Sequence, residues 1–463
     1  MSPSDKPSGH SALSPLSVAR AAIARGGNLG VELEAYVQFG RTVTVKIFGR
    51  EVESVTTAEP RGLGVRALRD RRVGYAFSAD VSLAAIDRVL AEAVDNARAT
   101  DPDPFVGLPG APAGSYPRLE GLWRQGVSGT KLEEKVRVAL EAEAAALAVR
   151  DIETVEESTY TDSDARVAIA STNGVEAEAR QSFCFVYVLA HAGRDGDRQS
   201  GLGFSVSREP AGLDAEAAGR EAAEKAGALL GAGPCPTGSY CVVFDRDVVA
   251  ALLSSIVPAL SADAVQKGRS VFAGRLGDGV ASPLVTLVDD GLALDGLATN
   301  PFDGEGVPQQ ATPLVEGGVL RGYLHNTYTA RKEGGEAAST GNAARHSYRA
   351  LPAVGANNLV LRAGEGALDE LFHRVEQGLY VESVAGIHSG VNPVSGEISL
   401  GVTGRLIEGG ALGRPVREVT IASEFISLLG SVTDLAGDAR WIPLYGSAYA
   451  PSLAVQGIAV SGT

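Results

Sequence analysis

Hydrolysis at neutral pH needs a metal-activated water or a nucleophile with a base beside it, so histidine, cysteine and serine come first. The six histidines are His10, His191, His325, His346, His373 and His388. The closest two, His373 and His388, stand fifteen positions apart. A helical zinc site needs two histidines about one turn apart on one face, and no pair here has that spacing. The three cysteines, Cys184, Cys235 and Cys241, make no C-x-x-C knuckle. GLGVR and GLGF are fragments, not a phosphate loop of the G-x-x-x-x-G-K type, and VAGIHSGVNP is not a G-x-S-x-G elbow. Ser389 has no evident base. What remains are polar loop residues: His325 and Asn326 in GYLHNTY, Asn342 and Arg345 in GNAARHSYR, His388 and Asn392 in GIHSGVNP. These read as peptide-binding or structural loops, with ordinary turn chemistry and satisfied histidines as the plainer alternative. No catalytic residue, cofactor site or metal ligand is assigned.

The elements that must position these loops follow from periodicity. SPLSVARAAIARGG reads as a helix, and TVTVKIF as a strand with Val43, Val45 and Ile47 on one face. GLGVRALRDRRVGYAF gives two strands around a turn near Asp70. DVSLAAIDRVLAEAVDNAR is an amphipathic helix that Asp80 or Ser82 caps. Five prolines in DPDPFVGLPGAPAGSYP exclude a continuing helix and leave an exposed linker or a loop crossing the domain. A capping box of Thr130 and Glu133 opens the next helix, with Leu132, Val136, Leu140 and Leu147 along one side. DIETVEESTYTD and ARVAIAST read as two strands, then Asn173-Gly174 as a turn, then EAEARQSFCFVYVLA as a strand that buries Cys184. A helix over about Ala215–Leu230 carries Asp214 as its cap. Beyond it strand candidates dominate, with helices near 247–257, 367–376 and 423–430. The fold expected is α+β: a tail over 1–12, an N-terminal domain (13–232) of helices packed on antiparallel sheet, and a β-rich C-terminal domain (233–463).

With 44% hydrophobic residues, 463 positions support a large core and two or three domains. The net charge of −15 argues against direct nucleic-acid binding, which needs clustered Lys and Arg. No run reaches the roughly 20 apolar residues of a membrane span. MSPSDKPSGH lacks the basic start and apolar run of a signal peptide, and residues 1–12 read as disordered. The sparse cysteines fit a reducing, cytoplasmic location.

The stretch GIHSGVNPVSGEISLGVTGRLIEGG, followed by PVREVTIAS, resembles the most characteristic block of the TldD/PmbA family. GGVLRGYLHNTYTARKEG, STGNAARHSYRALP and LYGSAYAPSLAVQGIAVSG match further blocks, and VTVKIFGREVESVTTAEPRGLGVRALRDRRVGYAFSAD resembles its opening hairpins more loosely. Together they cover about residues 30–463.

That family has two kinds of subunit. The TldD kind carries His-Glu-x-x-x-His on a helix and a later cysteine, which bind zinc. The TldE or PmbA kind lacks them. Here the corresponding region, DRDVVAALLSSIVPALSADAVQKGRSVF, has Val, Ala, Leu and Ser where ligands belong, and no cysteine follows Cys241. The resemblance implies a non-catalytic TldE/PmbA-like subunit of a metallopeptidase complex acting on unfolded peptides or small proteins. It implies zinc in a TldD-like metalloprotease partner, and a homo-oligomer when the chain is alone. Family members are linked to maturation of a peptide antibiotic and to removal of a gyrase-inhibiting antitoxin, whence "modulator of DNA gyrase". The competing class is a stand-alone peptide binder or chaperone. Residues 386–404 are expected to hold an extended peptide as an added strand.

Overall fold

The structure is a computed structural model that describes residues 14–444 and 446–462, so the tail expected over 1–12 lies outside the described residues. The N-terminal half is built on one antiparallel sheet of β1 (Glu32–Phe48), β2 (Glu51–Ala58), β3 (Arg61–Arg69), β4 (Arg72–Ser78), β5 (Ile152–Ser171), β6 (Glu176–Arg194) and β7 (Asp197–Ser207). Its order is β4-β3-β1-β5-β6-β7, with β2 on the distal half of β1. Helices cover one face. α1 (Pro15–Gly26) and α2 (Leu83–Ala99) pack on Leu33, Ala35, Val37 and Val65. The short α3 (Gln125–Gly129) precedes α4 (Leu132–Leu147), which with α5 (Ala215–Ala228) covers Val43, Val45, Cys184, Val186 and Val188.

Ser82, rather than Asp80, caps α2, and Asp214 caps α5. Two readings of α4 need correction. Thr130 makes no capping box: its hydroxyl donates to the Gly126 carbonyl at 2.6 Å, and the N-cap of α4 is Lys131 with no side-chain bond. The fully buried stripe of α4 is Val138, Ala139, Ala142 and Ala146; Val136, Leu140 and Leu147 pack beside it partly buried, while Leu132 is 44% exposed. The cause is close helix packing. A Cβ on Gly219 of α5 would lie 2.1 Å from the Ala142 carbonyl oxygen, so only small residues fit at the contact. The apolar surface that larger side chains would bury is replaced by near backbone contact.

DIETVEESTYTD and ARVAIAST are one strand, β5, not two. The intervening Ser163 and Asp164 stay in the strand because β1 and β6 pair with them on both sides, and Asp162 beside them is held by Lys135 of α4 at 2.5 Å and by the Tyr160 hydroxyl at 2.7 Å. The proline-rich segment crosses the molecule. Leu108 is buried, its carbonyl accepts from Arg331 at 2.9 Å, and the Tyr116 hydroxyl donates to the Gly306 carbonyl at 2.9 Å.

The C-terminal half holds a small barrel of β8 (Gly238–Phe244), β15 (Gln377–Ala385), β16 (Glu397–Glu408), β17 (Ala411–Glu424), β18 (Val432–Leu435) and β21 (Leu453–Ser461). The order is β17-β16-β15-β8-β21-β18, and pairing of β17 with β21 closes the ring. A second mixed sheet joins β9 (Leu287–Asp290), β10 (Ala311–Glu316), β11 (Val319–Leu320), β14 (Leu359–Leu361), β19 (Arg440–Ile442) and β20 (Ala448–Ala450); β12 (Ala343–Ala344) and β13 (Ala353–Val354) pair separately. α6 (Arg246–Leu260) runs through the core between these sheets, its Val249, Leu252, Leu253 and Ile256 buried among residues of both. The remaining helices are short: α7 (Ala262–Gln266), α8 (Thr327–Glu333), α9 (Leu368–Val375), α10 (Ile387–Gly390) and α11 (Phe425–Gly430). The α+β architecture with a β-rich C-terminal half is therefore the one the residue pattern implies. Residues 386–404 are not free to accept a strand along β16, because β15 and β17 pair with both of its edges.

Candidate functional site

The helix-free face of the N-terminal sheet turns toward the C-terminal half. Along β6 the odd positions Phe183, Phe185 and Tyr187 form a ladder, with ring centroids 6.4 and 6.1 Å apart and nearly parallel planes. Strand geometry dictates this, since i and i+2 side chains share a face about 6.6 Å apart. Tyr187 packs against the C-terminal core, whereas Phe183 and Phe185 line a cleft of about 430 Å³. The opposite wall is Ser254 and Val257 of α6, with Leu297, Asn357, Leu359, Pro443 and Ser447. Asn357 is turned inward: it donates to Asp289 at 3.1 Å and accepts from Gln309 at 2.7 Å. Ser447 accepts from the Leu297 N–H and donates to Asn358. Ser254 has no hydrogen-bond partner among the described residues, so the cleft offers apolar surface and one uncommitted hydroxyl.

Ion pairs hold the cleft walls together. Asp247 of α6 accepts from Lys225 of α5 at 2.7 Å and from Arg440 at 2.9 Å, and Glu221 accepts from Arg440 at 2.7 Å. Burial would raise Asp247, but the Lys225 and Arg440 charges overcome it and hold the carboxyl below its usual range. Its neighbour Asp245 is pushed up to about 6 by burial and by the Asp247 charge. A second buried cluster joins Glu34 of β1, Arg66 of β3, Glu305 and Arg345. Arg66 meets Glu34 at 2.6 Å and Glu305 at 2.8 Å, and Arg345 pairs with the other Glu34 oxygen. Two cations and two anions balance, which is the condition for burying charge.

The sequence-selected loop residues divide between two places. Arg345 is 1% exposed and committed to Glu34 and the Gly304 carbonyl. Asn342 is buried and donates to Asp289 at 2.5 Å. Asn326 caps α8 in a reciprocal capping box with Thr329. The half-buried His325 ring leaves Nδ1 without a partner, and burial lowers its pKa. These four are tied to the inter-half cluster, since Glu305 also accepts from the Thr327 N–H at 2.9 Å. His388 and Asn392 lie elsewhere, both exposed, His388 within α10 and Asn392 just beyond it, where Asn392 accepts from the Val394 N–H in an Asx turn. None of the six lines the cleft. The cleft residues Phe183 and Phe185 were legible only as alternation in QSFCFVYVLA, where the face opposite Cys184 is aromatic.

The structure also joins His191 to Ser200 at 2.8 Å and to Glu156 at 2.5 Å across β6, β7 and β5. This has the composition of a nucleophile array. However, the Glu156 side chain is 61% exposed, so water screens its charge. Ser200 sits within the regular strand β7, without the helix N-terminus or turn that aims convergent N–H donors at an oxyanion. Cross-strand hydrogen bonding accounts for the trio. Among the described residues no group of three or more His, Cys, Asp and Glu side chains is arranged to hold a metal ion.

Three family models match the chain in order: PmbA/TldA metallopeptidase domain 1 over 33–97, the central domain over 127–230 and the C-terminal domain over 237–462. The chain belongs to the PmbA/TldD family. Its similarity to Metalloprotease PmbA of Escherichia coli is 27% identity, covering 90% of this chain and 89% of the relative. To a Metalloprotease TldD homolog of Haemophilus influenzae it is 29% identical, with 81% and 79% covered. A Thermotoga maritima crystal structure described as a modulator of a DNA gyrase superposes with TM-score 0.88 at 27% identity, covering 96% and 99% of the two chains. TldE of Thermococcus kodakarensis shares the fold, with TM-score 0.87 at 21% identity over 96% and 100%. Within this PmbA/TldD chain, α6 presents Ser254 and Val257 to the cleft in the region that the sequence resemblance aligns with the zinc helix. A hydroxyl and an isopropyl group do not fit a zinc ion.

Proposed function

We propose that this chain is the non-metal-binding, TldE/PmbA-like component of a TldD/TldE-type metallopeptidase complex acting on unfolded peptides or small proteins. The observation that carries the reading is the cleft face of α6, which offers Ser254 and Val257 and no metal ligand. Amide hydrolysis needs an activated water and stabilisation of the oxyanion. Zinc in the TldD-like partner supplies both. This chain shapes the chamber and holds the peptide: the cleft-lining rings of Phe183 and Phe185 stand at the same spacing as alternate side chains of an extended peptide. The site residues His325, Asn326, Asn342 and Arg345 act structurally in this reading, and His388 and Asn392 form a rim that meets peptide or partner.

The division at 232/233, self-association of the chain alone and a cytoplasmic location belong to the same proposal. Among the described residues no helix is long and apolar enough to cross a membrane. The same aromatic cleft favours one alternative, a peptide-binding protein with no proteolytic role. Sedimentation of the chain with and without its TldD-like genomic neighbour distinguishes them. A mixed species at micromolar concentration is expected, and its absence removes the complex. Elemental analysis after dialysis should find well under one zinc per chain, and one tightly held zinc would overturn the reading.

A further inference from the structure

We propose that Arg208 is a carboxylate-recognition residue for the peptide held in the cleft, an inference that rests on the peptide-holding reading. Arg208 follows the last residue of β7 and lines a pocket of about 520 Å³. This pocket shares Val206 and Leu297 with the apolar cleft, so the two are continuous. Of the two other cations on its wall, Arg440 of β19 is committed to Glu221 and Asp247, and Arg124 is exposed, where water screens its charge. Arg208 has no carboxylate within 4.0 Å among the described residues. Its guanidinium donates to the Gly296 carbonyl, more distantly to the Ser182 carbonyl at 3.4 Å, and Nε is buried without a partner. Burial lowers its pKa and only Asp295 pulls the other way, so its charge is poorly compensated.

A half-buried guanidinium with no carboxylate partner, whose Nη1 holds only the 3.4 Å contact to the Ser182 carbonyl, keeps donor capacity for an acceptor brought into the pocket. A carboxylate matches it in shape and charge. A phosphate dianion matches it less well, because Glu209 and Asp295 share the lining and repel a double negative charge about twice as strongly as the single charge of a carboxylate. The carboxylate has two sources in a peptide, the free C-terminus or an acidic side chain. Either would leave the neighbouring apolar side chain in reach of Phe183 and Phe185.

The test is fluorescence anisotropy with the full chain and a dye-labelled unstructured peptide of about ten residues ending in Leu. It is prepared as the free acid, as the C-terminal amide, and as the amide with Glu beside the Leu. The free acid or the Glu-bearing amide should bind about tenfold more tightly than the plain amide, as a charge-assisted bond predicts. Which of the two does so names the source. In R208Q that advantage should vanish, and R208K should retain part of it. Urea unfolding of each variant reports whether it is folded. Equal affinity for all three peptides in the unsubstituted chain, or an advantage that survives R208Q, overturns the proposal while leaving peptide holding intact. Absence of binding by every peptide overturns the peptide-holding reading itself, and this proposal with it.

Discussion

Glu34 receives two guanidinium groups, one on each oxygen, and both arrive from across the sheet or from the other half of the chain. Removing it leaves Arg66 and Arg345 buried with one carboxylate between them. Glu34→Ala should therefore cost about 3–5 kcal/mol, the range for breaking a buried pair, as read by urea unfolding. A loss below about 1 kcal/mol would mean that water reaches the cluster. Asp289 makes the opposite kind of prediction. Burial pushes it up to about 6 although Asn342 and Asn357 donate to it. Since the folded state then binds a proton that the unfolded state has released, stability is fully present below about pH 4 for this group and is lost as pH rises through 6. Asp245, also near 6, acts in the same sense, while the lowered His325 acts in the opposite one. Urea midpoints between pH 5 and 7.5 should fall with pH, and Asp289→Asn should flatten the slope. An unchanged slope would show that Asp289 stays ionised throughout. Neither carboxylate was legible as buried in the sequence. Glu34 sits on β1 between apolar neighbours, and the partners that permit its burial lie at least thirty positions away.

At the scale of elements, most boundaries were written in local chemistry. Ser82 and Asp214 cap helices, Asn173-Gly174 turns a hairpin, and the alternation of Val43, Val45 and Ile47 gives the buried face of β1. The failures share a cause. Thr130-Glu133, the burial of Leu132 and the break between DIETVEESTYTD and ARVAIAST were judged from the segment alone, and tertiary neighbours decided them: the Gly126 carbonyl, the close approach of α5 and the pairing of β1 and β6 through residues 163 and 164. α6 is the element that joins stability to function. Ile256 is 2% exposed in the shared core, so Ile256→Ala should cost about 2–5 kcal/mol. Phe185 is only partly buried and faces the cleft. Phe185→Ser should weaken binding of an apolar unstructured peptide at least threefold while the chain remains folded at 25 °C by circular dichroism. Unchanged affinity would move the peptide path away from β6.

At the scale of the molecule, the N-terminal sheet is closed on one face by its own helices and on the other by the C-terminal half, and the cleft is what that second contact leaves open. The family was legible because its motif blocks are long and ordered, and because the missing zinc ligands are visible as residue types. The cleft was not, since its two walls come from β6, which ends at Arg194, and α6, which begins at Arg246, and meet only through packing. The central claim is that this chain contributes peptide capture and chamber assembly to a partner that performs the chemistry. The most direct test is cleavage of an unstructured peptide panel by the purified chain, by its TldD-like partner, and by the two together, each with and without a zinc chelator. No cleavage by the chain alone, and chelator-sensitive cleavage by the pair above that of the partner alone, is the expected result. Cleavage by the chain alone at the rate of the mixture would contradict it, as would a pair that forms yet cleaves no faster than the partner by itself.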